Sequence, residues 1–194
     1  MGNIKTILAG LSLTMAVGMP AVASDELTMV VGTYTDQSTS DGMYVYRFNQ
    51  RTGKSQLVGD VQAGNPSFLM MNPDANRVYA VSEYDDGRQS LGAFILNKKE
   101  GTMTPLGYQK CGTKATRQEN KMPGAAPCNV MLYGGHVVTS NYNGGDISVF
   151  PIKEDGSVAP ESQYFDMHRE GSGVVSHIHC CQMTPDHQSV SYTH

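Results

Sequence analysis

The chain alternates short apolar runs with clusters of turn-forming residues, and the runs are too brief for helices. Residues 42–48 show the pattern. Met43, Val45 and Arg47 fall on one side of an extended chain, and Tyr44, Tyr46 and Phe48 on the other. After residue 23 no window of 11 residues keeps an apolar stripe at the helical period. The pattern predicts strands over 28–34, 42–48, 56–62, 67–71, 77–82, 90–96 and 103–108. A second set covers 129–132, 136–140 and 146–151. Turn chemistry separates them: Thr52-Gly53, Pro73-Asp74, Asp85-Asp86-Gly87 and Glu154-Asp155-Gly156.

The strands belong to a repeated sentence. NPSFLMMNPDANRVYAVSEYDDGRQSLGAFIL (65–96) is answered by APCNVMLYGGHVVTSNYNGGDISVFPI (126–152) and by SHIHCCQMTPDHQSVSYTH (176–194). A partial copy, VVGTYTDQSTSDGMYVYRF, covers 30–48. Tyr34, Tyr84 and Tyr142 hold one place in the repeat, 50 and then 58 residues apart. Pro73-Asp74 and Pro185-Asp186 hold another, 112 apart. A period near 50 residues suits a four-stranded propeller blade, which cannot bury its two faces alone. The 194 residues hold roughly three such units, fewer than the four to eight that commonly close a ring. The fold class expected is therefore all-β, part of a β-propeller, with the chain as the N-terminal part of a larger ring.

The first 23 residues read as a signal peptide rather than as part of the fold. Lys5 precedes a short apolar run over 7–19, and Pro20 then leads into Ala21-Val22-Ala23. The domains expected are 1–23 as signal peptide and 24–194 as propeller, with export to the periplasm or medium. No cysteine follows the run, so no lipid anchor is expected after cleavage. Without residues 1–23 the balance is 13 basic against 18 acidic side chains. No basic stripe appears, which argues against a nucleic-acid partner. Cys111, Cys128, Cys180 and Cys181 are few for a disulfide scaffold, and none forms C-x-x-C. Cys111 and Cys128 flank one loop and either pair or stand as separate thiols.

Five of the six histidines lie between 168 and 194, and His177-Ile178-His179 is the densest candidate for chemistry. In a strand, residues 177, 179 and 181 share a face. In repeat register His179 takes the place of Ser67 and Cys128, so an imidazole replaces a small uncharged side chain. At the mouth of a propeller channel it suits a general base acting on water. The alternative is a structural histidine. A metal site is not expected, because Asp186-His187 lies beyond a turn from the H-x-H pair. Glu83, at the end of its strand, is read as supporting the turn, with a functional carboxylate as the alternative. Two longer polar segments, 111–126 and 166–176, lead into first strands and would sit at the channel end.

Taken together, VVGTYT, GMYVYRF, the NPSFL…NPD…VYAVSE run, GAAPC, SNYNGGDISVFPI and HIHC…TPD resemble the lactonase family of seven-bladed β-propellers. That family is typified by the propeller-type bacterial 6-phosphogluconolactonases and includes fungal carboxymuconate cyclases. The resemblance runs from about Val30 to Asp186. It implies hydrolysis of a small-molecule sugar lactone, 6-phosphogluconolactone to 6-phosphogluconate, with no cofactor. It also implies an active-site histidine opening the first strand of one blade, which matches His179, with His177 as second choice. The family's proposed partners, two arginines and a glutamate, lie in later blades, and neither their P-R-H nor their N-E motif occurs in this chain. The fragment alone is expected to be inactive. Where the family tends to read PDG and then an apolar strand, this chain has PDHQSVSYTH. The rival reading is a non-enzymatic exported propeller acting as a binding scaffold; the absence of Trp removes the signature of WD repeats.

Overall fold

The computed structural model describes residues 25–116, 122–168 and 175–193. The expected signal segment lies outside the described residues. Thirteen strands form four antiparallel sheets in chain order, with no helix among the described residues. The first sheet holds β1 (Glu26–Gly32), β2 (Gly42–Asn49) and β3 (Ser55–Gln62). The second holds β4 (Leu69–Met71), β5 (Arg77–Ser82), β6 (Ser90–Asn97) and β7 (Thr102–Lys110). The third holds β8 (Pro127–Tyr133), β9 (His136–Asn141), β10 (Asp146–Pro151) and β11 (Gln163–Asp166). The fourth holds β12 (Cys180–Met183) and β13 (Val190–Thr193). Each sheet is a meander, and the succession is that of consecutive propeller blades.

The packing explains the sequence pattern. β5 is buried on both faces, so it reads as a continuous apolar run rather than an alternation. Val78 and Ala80 face the first sheet, where they join Met43, Val45, Phe94 and Met103. Tyr79 and Val81 face the third, with Leu91, Val130, Val137 and Phe150. A smaller core of Met131, Ile147, Ile178 and Cys181 joins the third sheet to the fourth. Burying a side chain the size of Phe150 or Leu91 contributes about 2–3 kcal/mol. Beyond this third layer an apolar groove lined by Val138, Val149, Phe165, Met167, Val190 and Tyr192 stays open.

The first two sheets share an irregularity. β2–β3 and β6–β7 each shift register by one residue, beside Val45/Tyr46 and Ala93/Phe94, so that Val58 and Leu106 are extra. Each is followed by a glycine, Gly59 or Gly107. The repeat seen in sequence is therefore a repeat of backbone detail as well. The tail departs from the family pattern in sequence but keeps a strand: β13 pairs with β12 from Cys180↔Thr193 to Met183↔Val190.

Candidate functional site

Equivalent strands of the first three sheets, β1, β5 and β9, end close together. Each leads into the repeated tyrosine position, occupied by Tyr34, Tyr84 and Tyr142. Between them stand the residues that open the first strands: Ser67, Cys128 and His179. Two left-handed residues hold this junction. Asn65 (φ 43°) and Ala126 (φ 51°) each precede a proline, in a conformation that non-glycine residues adopt rarely. The Asn65 carbonyl accepts from the N–H of Ser67 at 2.8 Å and of Glu83 at 3.1 Å. The Ala126 carbonyl accepts from the N–H of Tyr142 at 2.8 Å. The strain is offset by fixing Glu83 and Tyr142 at the mouth.

Glu83 is gripped from two sheets. The Tyr34 hydroxyl donates to Glu83 Oε2 at 2.9 Å, and the Ser67 hydroxyl donates to the same oxygen. The buried Asn65 side chain acts as a collar. Its Oδ1 accepts from the N–H of Thr35 at 2.8 Å and of Asp36 at 3.1 Å, and its Nδ2 donates to the Glu83 carbonyl at 3.1 Å. Burial, then the hydrogen bond and charge of Glu83, raise the Tyr34 phenol above its ordinary value, so it stays a donor at neutral pH.

Asn141 takes the place of Glu83 in the third sheet but not its role. It is fully buried, and its Nδ2 donates to Asp146 Oδ1 at 2.6 Å and to Ser148 Oγ at 3.0 Å. Tyr164 and the Gly124 N–H also donate to Asp146, at 2.9 Å each. The network ties the end of the 111–126 loop to the third sheet. Glu161, also buried, fixes its beginning by accepting from Gly112 N at 3.0 Å and Thr113 Oγ1 at 2.7 Å. The different fate of Asn141 accompanies a register shift between Pro127 and Asn129, which leaves Cys128 in a bulge.

Both candidate histidines meet the ring of Tyr142. His177 stacks on it at 4.6 Å between centroids, and His179 meets it edge-on at 5.7 Å. His177 Nδ1 lies 3.1 Å from the Tyr142 carbonyl. A carbonyl only accepts, so Nδ1 carries the proton, and in the neutral ring Nε2 keeps its lone pair. His179 is exposed, and its ring makes no hydrogen bond to another described residue. The strand phase differs from the sequence expectation. Residues 177 and 179 do share a side, but Cys181 does not. It is fully buried, with the Ser140 hydroxyl 3.0 Å from its sulfur, because 177–179 precede β12 and are not pleated with it.

Cys128 sits between the two groups. Its Sγ donates toward the carbonyls of His179 at 3.5 Å and Ser140 at 3.6 Å. Burial, and after it the charge of Glu83, push its thiol up to about 12. It is therefore a thiol at neutral pH, unsuited to nucleophilic catalysis. The four cysteines stand as separate thiols, which resolves the alternative left by their spacing. Among the described residues no three His, Cys, Asp or Glu side chains converge to hold a metal. His187 is remote from the pair, stacked on Tyr133 at 5.6 Å.

Sequence reasoning placed Glu83 at a strand end and favoured the turn over a functional carboxylate. The signal for more was the tyrosine at 34, whose partner lies 49 residues away. It also passed over His168, whose Nδ1 lies 2.8 Å from Asp166 Oδ1 at the end of β11.

Consecutive antiparallel blades with a polar cluster at one end define part of a β-propeller. The chain belongs to the Lactonase, 7-bladed beta-propeller family, which matches residues 28–193. It is similar to the 6-phosphogluconolactonase of Formosa agariphila, 28% identical over 161 residues, which cover 78% of this chain and 42% of that protein. It is similar to that of Bacillus subtilis, 29% identical over 168 residues, covering 82% and 44%. A crystal structure from Bacteroides fragilis, assigned provisionally as a 6-phosphogluconolactonase, superposes with a TM-score of 0.76 at 36% identity, covering 89% and 46%. The chain thus spans less than half the length of these relatives.

Proposed function

We propose that this chain supplies one side of the active site of an exported sugar-lactone hydrolase. Water attacks the lactone carbonyl, the ring C–O bond breaks, and a hydroxy acid leaves. His179 takes the proton from the attacking water. His177 and Tyr142 hold the surrounding aromatic wall. The substrate class follows from the similarity to proteins named 6-phosphogluconolactonase. The observation that carries the reading is the meeting of His177 and His179 on one tyrosine ring, at the mouth where Glu83 is also held.

Hydrolysis on this reading needs further blades. The relatives extend well beyond the matched region. The apolar groove between β9–β11 and β13 supports further strands on the two-stranded fourth sheet, since each blade of a propeller packs on its neighbours. The test compares this chain with the ring-complete protein on a gluconolactone and its 6-phosphate, above spontaneous opening. Turnover by the complete protein alone is the expected result. Turnover by neither removes the lactonase reading, and equal turnover by both removes the need for further blades.

A further inference from the structure

The two hydroxyls that grip Glu83 both choose Oε2. Oε1 has no protein donor among the described residues, and no side-chain nitrogen or oxygen among them is buried without a partner. Oε1 therefore faces solvent at the mouth. Its carboxylate makes no ion pair with a described residue. The nearby Arg88 is taken by Asp86 at 2.6 Å and Asp36 at 3.3 Å, and its guanidinium lies 3.7 Å over the ring of Tyr84. The Glu83 backbone is pinned on both sides by Asn65, through its N–H and through its carbonyl. A carboxylate fixed by two hydroxyls and two backbone bonds, with one oxygen held open and no counter-ion, is a preorganised acceptor.

We infer that Glu83 is a substrate-binding residue, whose Oε1 accepts hydrogen bonds from ring hydroxyls of a neutral polyhydroxylated lactone. The inference rests on the lactonase reading and names what that reading leaves open, the group that recognises the sugar. The chemistry selects the ligand. A carboxylate accepts from hydroxyls and repels phosphate, so a phosphorylated substrate would keep its phosphate away from this side. The histidines face the same mouth across Cys128, whose thiol senses the Glu83 charge and whose sulfur reaches the His179 carbonyl. Hydroxyls bound at Glu83 would thus set the carbonyl end of the ring toward the imidazoles. Tyr34 and Ser67 act as positioning residues, holding the carboxylate so that Oε1 stays open.

The experiment measures kcat and KM of the ring-complete protein and of its Glu83→Ala and Glu83→Gln variants on two substrates. One is glucono-1,5-lactone, and the other is δ-valerolactone, which has the ring but no hydroxyls. Loss of a hydrogen bond to a charged group raises KM for gluconolactone about 10- to 100-fold in Glu83→Ala, with δ-valerolactone unaffected. Glu83→Gln keeps the side-chain shape and carries the same test if the alanine variant fails to fold. Equal loss on both substrates would make Glu83 structural and overturn the inference, as would no loss on either. If the ring-complete protein opens neither lactone, the lactonase reading fails, and calorimetric binding of the neutral analogue D-gluconolactam decides. Binding lost in the variants upholds the acceptor role; no binding, or equal binding, removes it.

Discussion

The Tyr34 hydroxyl and Glu83 Oε2 lie 2.9 Å apart, and this hydrogen bond helps to join the first sheet to the second at the mouth. Tyr34 is 57% exposed, so the bond competes with water and its worth is modest. Tyr34→Phe is expected to lower stability by no more than about 1 kcal/mol in denaturant unfolding. Its larger effect is on Glu83, which keeps only Ser67 as side-chain donor. A loss of several kcal/mol would show that the contact carries structure rather than position.

Asn65 is the reverse case. It is 5% exposed and left-handed, and its side chain serves two loops at once. Asn65→Ala strands the N–H groups of Thr35 and Asp36 and keeps the backbone strain. A loss of about 3 kcal/mol is expected. Unfolding that is unchanged within 0.5 kcal/mol, on the order of an ordinary surface substitution, would contradict the collar.

The turn beneath Tyr142 needs glycine at 145. Gly145 has φ +61°, and a Cβ there would lie 2.4 Å from the Ser176 carbonyl oxygen. Ser176 precedes His177, so Gly145→Ala is expected to push His177 off the Tyr142 ring. The imidazole proton shifts of His177 in NMR spectra report the stack directly. Unchanged shifts would refute the link.

Cys128 offers a pH test. Its thiol is raised from an ordinary value of 9.0 to about 12, first by burial and then by Glu83. A raised value means that the folded state keeps its proton where the unfolded chain loses it. The associated stability is complete below pH 9.0 and is lost as pH climbs toward about 12. Alkylation of native Cys128 at pH 8 should be at least about 100-fold slower than in denaturant. Glu83→Gln should speed it, because one of the causes that raise the thiol is removed. An unchanged rate in that variant would uncouple the two residues.

The strands and their repetition were legible because each blade meets the same demands at the same positions. β5 and β10 were placed with the bounds the structure gives them, since each is buried on both faces. β11 was missed: Gln163–Asp166 offers four residues with no fully buried position, too little periodicity to stand out. The His177–His179 pair was visible as local sequence, but its phase was not, because the pleat begins only at Cys180. The contacts of Glu83 were hidden for a different reason. They depend on a hydroxyl from another sheet, and repetition with Asn141 suggested a shared setting. The bulge at Cys128, which no local residue pattern announces, separates the two.

The role of His179 as the base is decided by the rate of lactone opening in the ring-complete protein and in its His179→Ala variant, with His177→Ala beside them. Spontaneous opening of gluconolactone sets the baseline. Removing a general base costs about 100-fold or more in kcat, with little change in KM. That loss is expected for His179→Ala and a smaller one for His177→Ala, both folded by circular dichroism. A His179→Ala protein that opens the lactone as fast as the native one would contradict the assignment.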